Sequence, residues 1–537
     1  MTTRTDAPPV TPTGSPTHRQ VVAVIYGLML GMLLASLDQT VVSTAMRTIA
    51  DDLNGQTAQA WATTAYLIAS TISTPLYGKL SDLYGRKPLY LFAIAVFVVG
   101  SMLCGTSSSI YELAVWRGVQ GVGAGGLLSL AFTIVADLVK PRERARYQAR
   151  IMSVFATSSV LGPILGGFLA GQDTLLGTAG WRWIFYVNVP LGILAFVVIT
   201  KVLHLPHTRR EHRIDAVGAG LLSSAIVPLL LVAEQGRTWG WGSPLVVGLL
   251  VTSIASLVAF VPWERRMGED AVLPLRVFSY KTFRVSTALS LLIGTVMFGG
   301  LLLVPLYLQI VRDESPTRAG LLMLPLMAGM LTTSMAVGRI TSRTGRMLRY
   351  PIPGTLLIGG ALLGLSFVEY DTALWVPLTC VAVLGCGLGL SMQTLVIGVQ
   401  NALPASDIGV ATSSVTFFRS VGGTLGAAIS LSILFGTVVG RIQDRAVQAG
   451  LPQAVVDRFG ESSALDDTTV IATLPDAVRT AVLQGFTDSM QTAFLVVACL
   501  MVPAFLLSLR LEVTHLREMS GLEAREAEQA RAEAAHL

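Results

Sequence analysis

Gly78-Lys79-Leu80-Ser81-Asp82-Leu83-Tyr84-Gly85-Arg86-Lys87 decides the architecture of this chain, because it occurs twice. Gly338-Arg339-Ile340-Thr341-Ser342-Arg343-Thr344-Gly345-Arg346 restores both glycines and the arginine at the same spacing. Each copy follows an apolar run. Two more patterns recur with it: Gly121, Gly123 and Gly125 return as Gly385, Gly387 and Gly389, and Gly162 with Gly166 returns as Gly422 with Gly426. Internal repetition of this kind marks a chain built from two related halves.

Working outward from the repeat, 52% of the residues are hydrophobic and only 13% charged, a balance that suits lipid rather than water around most side chains. A helix needs about 20 apolar residues to cross the hydrocarbon core. Fourteen such runs are expected, at 21–45, 58–78, 88–107, 110–137, 150–170, 183–203, 214–234, 244–262, 285–310, 318–340, 350–369, 374–397, 407–438 and 488–510. The repeats align run 2 with 10, 4 with 12 and 5 with 13. That register is eight runs long while each repeat holds six, so runs 7 and 8 read as an insertion between bundles. The expected fold class is therefore an all-α membrane protein of 14 transmembrane helices in a 6+2+6 arrangement. Residues 1–20 form a polar lead, 21–203 the first bundle, 204–284 the inserted pair with its flanking loops, 285–510 the second bundle and 511–537 a polar tail. Residues 439–487, within the second bundle, read as a long outside loop and 511–537 as a frayed helix. Parallel repeats imply a pseudo-two-fold axis along the membrane normal and a cavity between the bundles.

Lys and Arg mark cytoplasmic loops. One set of loops carries Lys79, Arg86, Lys87, Lys140, Arg142, Arg144, Arg146, Arg150, Lys201, Arg209, Arg210, Arg213, Arg265, Arg266, Arg276, Lys281, Arg284, Arg339, Arg343, Arg346 and Arg349; the alternate set carries only Arg47, Arg182, Arg237, Arg312 and Arg318. Both termini are thus expected in the cytoplasm, and the net charge of +5 reads as a topology signal rather than a nucleic-acid footprint. The first run is too long for a signal-peptide core and reads as a retained helix. Cys104, Cys380, Cys386 and Cys499 all fall inside apolar runs, so neither a disulfide framework nor a metal pattern follows. The six histidines lie outside the runs, and HExxH, GxSxG with partners and P-loop motifs are missing, which argues against an enzyme, a cofactor or ATP as the energy source. An ion gradient, worth about 2.3 kcal/mol per charge per 100 mV, remains.

The Gly78–Pro88 stretch resembles the signature loop of the major facilitator superfamily, whose charges pair with neighbouring helix ends in one conformation and release them in another. Four further stretches resemble the fourteen-helix drug/proton antiporter branch: Leu37-Asp38-Gln39-Thr40-Val41-Val42, Arg117-Gly118-Val119-Gln120-Gly121, Leu161-Gly162-Pro163-Ile164-Leu165-Gly166-Gly167, and Trp181-Arg182-Trp183 running on to Asn188-Val189-Pro190. Trp239-Gly240-Trp241 between the inserted runs fits as well, so the likeness spans the whole chain. It implies the major facilitator fold, a conformational switch at Gly78, Asp82, Gly85, Arg86 and Lys87, and an antiporter helix motif at Gly162, Pro163, Gly166 and Gly167 associated with export. The chain departs from the pattern at Met46-Arg47, where a Leu-Pro pair is usual, and at Ser158, where a glycine often sits.

A charge inside a membrane helix costs at least a few kcal/mol, so it must face a cavity or find a partner. Asp38, Arg117 and Arg419 lie well inside runs, whereas Glu112, Asp137, Glu234 and Asp488 lie near ends. Asp38 and Arg117 are each about seven residues from the outer end of their run, which puts them at similar depth. If their helices face one cavity, as the resemblance implies, the carboxylate can hold the arginine or a cationic substrate when ionised and release either when protonated. The competing reading is a permanent ion pair that fixes packing. Arg419 is placed to hold Gln393 or backbone carbonyls at the bundle interface. The glycines permit close helix approach.

Trp61, Tyr66, Gln120, Met297, Phe298, Tyr307, Gln309, Met323, Met327, Gln393, Phe417 and Arg419 are candidate cavity-lining residues, since a promiscuous site favours aromatic and thioether surface. The expected activity is proton-coupled antiport exporting hydrophobic or cationic drugs and biocides from the cytoplasm across the cell membrane. The expected partners are an amphipathic small molecule, protons and the bilayer, without nucleic acid, and a monomer is the expected state. A dedicated exporter of one metabolite is the nearest alternative. An uptake symporter is another, although run 1 lacks the Glu-x-x-Glu-Arg cluster of that class. Substrate identity is not encoded in the helical pattern.

Overall fold

The computed structural model describes residues 18–55, 58–204, 215–345, 350–452, 474–512, 515–517 and 519–527. Helices dominate because backbone N–H and C=O groups in hydrocarbon must be satisfied within the segment. In chain order they are α1 (His18–Asp52), α2 (Ala60–Tyr84), α3 (Arg86–Thr106), α4 (Ile110–Leu138), α5 (Pro141–Ala170), the short α6 (Arg182–Tyr186), α7 (Asn188–Val202), α8 (Ala216–Trp239), α9 (Pro244–Met267), α10 (Lys281–Leu306), the short α11 (Pro316–Leu322), α12 (Leu324–Thr344), α13 (Pro351–Leu365), α14 (Trp375–Ala402), α15 (Ile408–Gln448), α16 (Asp476–Cys499) and α17 (Met501–Ser508). A two-strand hairpin, β1 (Thr174–Leu175) on β2 (Thr178–Ala179), connects α5 to α6. Side-chain caps define several starts: Ser109, Asp215 and Ser243 accept the backbone N–H of Glu112, Gly218 and Val246.

Among the described residues, twelve helices are long and apolar enough to cross a membrane. Of the remaining expected runs, α13 is 15 residues long, and α2 has the length but a more polar composition.

The repeat seen in the sequence is a repeat in space. In the first half α2 and α3 pack on α4, and α1 packs on α5; in the second, α12 and α13 pack on α14, and α10 packs on α15. The glycines sit where these helices touch. A Cβ on Gly121 or Gly125 would strike α2 at Tyr66 or Ser70, and one on Gly123 would strike α3 at Phe97. Gly385 and Gly389 meet α12 at Leu326 and Met330, and Gly387 meets α13 at Gly354. Gly162 and Gly166 meet α1 at Thr40 and Val41, as Gly422 and Gly426 meet α10 at Leu291 and Thr295. Gly167 meets nothing within 4 Å, so it has no part in this packing. Ser158, standing where a glycine is common, donates or accepts a 2.7 Å hydrogen bond with Ser36 across the same α1–α5 contact.

The halves join through α2 against α15 and α5 against α12. α8 and α9 pair as a hairpin, with α8 resting on both α2 and α15, and a shared apolar cluster runs from Leu222 and Phe260 to Val415 and Phe417.

Three boundaries differ most from the expected ones. The fifth helix begins at Pro141, because Pro at a first helical position is tolerated and the following charged turn lies outside the apolar run. α15 continues to Gln448 and α16 begins at Asp476, held side by side by Arg445 pairing with Asp488 at 2.7 Å, so both ends of the expected 439–487 loop are helical. Residues 453–473 lie outside the described residues, as do Arg209, Arg210, Arg213, Arg346 and Arg349. The tail is helical at 521–527, and its Arg525 is docked rather than free.

Candidate functional site

Helix α1 delivers Asp38 and α4 delivers Arg117 to one buried point. The Arg117 Nη1 donates to Asp38 Oδ2 at 2.6 Å and to Gln120 Oε1 at 2.8 Å. Gln120 Nε2 and Asn188 Nδ2 each donate to Asp38 Oδ1 at 2.8 Å, and Asn188 also donates to Ser101 Oγ at 3.0 Å. The guanidinium lies 4.1 Å over the ring of Tyr66, a cation–π contact. Asp38 is 1% exposed and Arg117 2%, so the pair is sealed within the first bundle and faces no lipid. Gln120 and Tyr66, expected as cavity lining, belong to this network. Ser101 is a partner that the sequence did not single out, and Asn188 entered there as part of a motif without this role: neutral amides and hydroxyls do not stand out in apolar runs as charges do.

A second cluster lies at the end of the molecule that carries the signature loop. Gly85 has φ +95°, as its repeat Gly345 has φ +64°, so each loop turns through backbone that favours glycine. Arg86 bonds Asp82 and Ser81 within the loop and donates from Nε to Asp137 of α4 at 2.9 Å. Asp82 Oδ2 accepts the Val410 N–H at 3.3 Å, so the loop of the first half caps the start of α15 in the second. Gly78 allows α2 to approach Ser413 on that helix. Lys87 donates to the Thr200 carbonyl of α7 at 2.8 Å, and Lys79 to that of Glu269 beyond α9. Arg144 of α5 donates to Gln400 of α14 at 3.2 Å, and Gln400 donates to Thr412 of α15 at 2.9 Å. Arg142 donates to the Ser342 and Arg343 carbonyls of the second loop. These contacts hold the bundles together at this end.

The tail joins that closure. Arg525 lies 3.2 Å from Asp137 and 3.7 Å from Asp82 and donates to the Ala405 carbonyl at 3.0 Å, while Arg517 donates to the Leu403 carbonyl at 3.1 Å. Gly521 packs on Asp137 and Ile408. The Ala- and Glu-rich tail composition carried no signal of this docking.

The remaining cavity candidates are dispersed. Trp61 stacks on Trp239 of the inserted hairpin with ring centroids 6.1 Å apart. Tyr307 is buried within the second bundle and donates to the Glu369 carbonyl at 3.3 Å. Gln309 is exposed, and Phe298 packs on Gly423. Met297, Met323 and Met327 pack against the core of the second bundle, and Phe417 against Phe418. Pro163 meets Gly320 of α11. Arg419 does not hold Gln393: among the described residues it has no ion-pair or hydrogen-bond partner, and both polar atoms of the Gln393 amide are buried and unpaired. No group of His, Cys, Asp and Glu among the described residues is arranged to hold a metal ion.

Two repeated helical bundles with an ion pair buried in one and a charged clamp across their common end define a membrane transporter. The sequence profile of the Major Facilitator Superfamily matches residues 28–427, and the chain belongs to that superfamily. An uncharacterized MFS-type transporter of Mycobacterium tuberculosis (strain ATCC 25618 / H37Rv) is 36% identical over 506 residues, covering 94% of this chain and 71% of the relative. The multidrug transporter protein MdtP of Bacillus subtilis (strain 168) is 32% identical over 464 residues, covering 85% and 84%. Among solved structures, the proton:xylose symporter XylE superposes with a TM-score of 0.61 at 14% identity, covering 95% of this chain and 99% of that one, a likeness of fold alone.

Proposed function

We propose that this transporter is a proton-coupled antiporter that exports hydrophobic and amphipathic compounds, drugs and biocides among them, across the cytoplasmic membrane by alternating access. In this reading it spans the membrane fourteen times as 6+2+6, with α2 and α13 as the two additional spans, both termini in the cytoplasm and a single chain as the working unit. The similarity to a multidrug transporter supports export of drugs. The observation that carries proton coupling is the Asp38–Arg117 pair, sealed at 1% and 2% exposure inside a bundle that must move. An ionised Asp38 gathers Arg117, Gln120 and Asn188 about itself; a proton on it removes the charge that holds the arginine, loosening α1 from α4. Substrate bound between the bundles then exchanges with that proton, and the loop clamp of Asp82, Arg86 and Asp137 opens or closes the cytoplasmic end.

The test is transport in everted membrane vesicles, with a cationic and an acidic fluorescent probe, ethidium and dansyl-labelled undecanoate, an imposed pH gradient and a protonophore as control. Wild type is expected to accumulate at least one of the two, and only with the gradient. Asp38→Asn is expected to be present in the membrane at normal level and inactive. Full gradient-driven accumulation by Asp38→Asn refutes the coupling role.

A further inference from the structure

Among the described residues Arg419 and Gln393 have no hydrogen-bond or ion-pair partner, and the register of their helices places them at one level. Thr412 of α15 and Gln400 of α14 are hydrogen-bonded, and Gln400 in turn meets Arg144 of the first bundle. The two helices run in opposite directions. Seven residues is close to two helical turns, so Arg419 lies on the face of α15 that carries Thr412, and Gln393 on the face of α14 that carries Gln400. Both are displaced by the same two turns away from the clamped end. They therefore stand at one level near mid-membrane, about 17 Å along α15 from Ile408, on the two helices of the second bundle that also adjoin α2, α4 and α5 of the first, with the Arg419 backbone against Gly294 of α10.

The electrostatics of this spot are incomplete. Helices α10, α12, α13 and α14 contain no Asp or Glu, and Asp488 of α16 is committed to Arg445. Among the described residues no acid forms an ion pair with Arg419. Gln393 is only 4% exposed, yet its Nε2 and Oε1 are both unbonded, which costs free energy unless something else binds there. A fixed cation and an idle amide donor at membrane depth are complementary to acceptor oxygens, and a guanidinium binds a planar acid through paired charge-assisted hydrogen bonds.

We infer that Arg419 and Gln393 form an acceptor-binding site between the bundles, and that the exported compounds carry a carboxylate, sulfonate or similar acidic group on an apolar body. This rests on the export reading and narrows it, against the cationic substrates expected from the sequence.

Dansyl-labelled undecanoate and its methyl ester test the assignment on the purified full-length protein, first in gluconate and then in chloride buffer. Wild type is expected to bind the acid about tenfold or more tightly than the ester. Arg419→Gln is expected to abolish that preference by weakening the acid alone, Arg419→Lys to retain most of it, and Gln393→Leu to weaken the acid severalfold while sparing the ester. Equal binding of acid and ester by wild type overturns the site, as does a preference that survives in Arg419→Gln. A chloride-dependent stabilisation lost in Arg419→Gln, without acid preference, gives the position to an inorganic anion and overturns it too. In everted vesicles, gradient-driven uptake of tetraphenylphosphonium without acid preference removes the site and leaves export standing. Acid preference without transport of either probe removes export and leaves the site.

Discussion

Asp38 and Arg117 in the first bundle and Arg419 in the second are all charged side chains placed deep in apolar helices, but their surroundings are opposite. Asp38 accepts hydrogen bonds from Arg117, Gln120 and Asn188, whereas Arg419 has no partner among the described residues. The backbone of the two halves is the same, with glycine against helix at matching contacts from Gly121 and Gly385 to Gly166 and Gly426. Duplication has kept the packing and let the charges diverge. The loops show it as well: Asp82, which bonds Arg86 and the start of α15, corresponds to Ser342, whose carbonyl merely accepts from Arg142. Helix contacts constrain both halves equally, while the buried charges differ, a balanced pair in one half and a cation without a partner among the described residues in the other; the proposed proton coupling draws on the first and the inferred acid site on the second.

The strongest challenge to this contrast is to remove each arginine. Arg117→Met strands Asp38 as a buried charge and is expected to destabilise the protein by about 3–5 kcal/mol. Arg419→Met removes a charge that nothing balances and is expected to be neutral or stabilising. Thermal unfolding of both variants in detergent reads the difference. Equal losses in the two would show that Arg419 has a structural partner after all.

Matched glycine variants sharpen the other side of the comparison. Gly121→Leu would drive a side chain into the backbone of Tyr66, and Gly385→Leu into that of Leu326. Both are expected to cost about 1–3 kcal/mol, and by similar amounts, since the contacts are equivalent. Gly167→Ala, with open space around it, is expected to change thermal stability by less than about 0.5 kcal/mol. A large loss at Gly385 with none at Gly121 would mean that the bundles do not share a packing plan.

How far the sequence could be read follows the same division. Repeated glycines were legible because close helix approach demands a particular residue type, and Asp38 and Arg117 were legible because charges are rare in apolar runs. Asn188 stands in a recognisable motif, but its hydrogen bond to Asp38 is not legible there, since a neutral amide is a weak signal. The pairing expected for Arg419 with Gln393 does not form although the two stand at one level, because the direction each side chain takes from its helix, which a single chain pattern does not carry, decides whether they meet. The ends of α15 and α16 were read as loop because mixed charged residues beyond the lipid break the apolar pattern without breaking the helix, as Arg445 and Asp488 illustrate.

The tail provides the smallest and most local test of the asymmetry. Asp82 and Asp137 belong to the first half, but Arg525, which approaches both, arrives from a segment that runs past Asn401, Leu403 and Ala405 of the second. The guanidinium thus ties the acids of one half to the Ala405 carbonyl of the other, whereas among the described residues the tail meets the corresponding loop through a backbone hydrogen bond from Leu516 to Gly345. Arg525 is about a quarter exposed, so its ion pairs are partly screened and contribute on the order of 1 kcal/mol. Arg525→Ala is therefore expected to raise the population opened at this end by about fivefold, and Arg525→Lys by less, because an ammonium keeps the charge but loses the fork that also serves Ala405. Maleimide labelling of Ser413→Cys, buried beneath Gly78 in the closed clamp, measures that opening in a background with the four native cysteines replaced. An unchanged labelling rate in Arg525→Ala would leave Arg86 as the side chain that holds Asp82 and Asp137 in the clamp, and would reduce the docked tail to a passive cover.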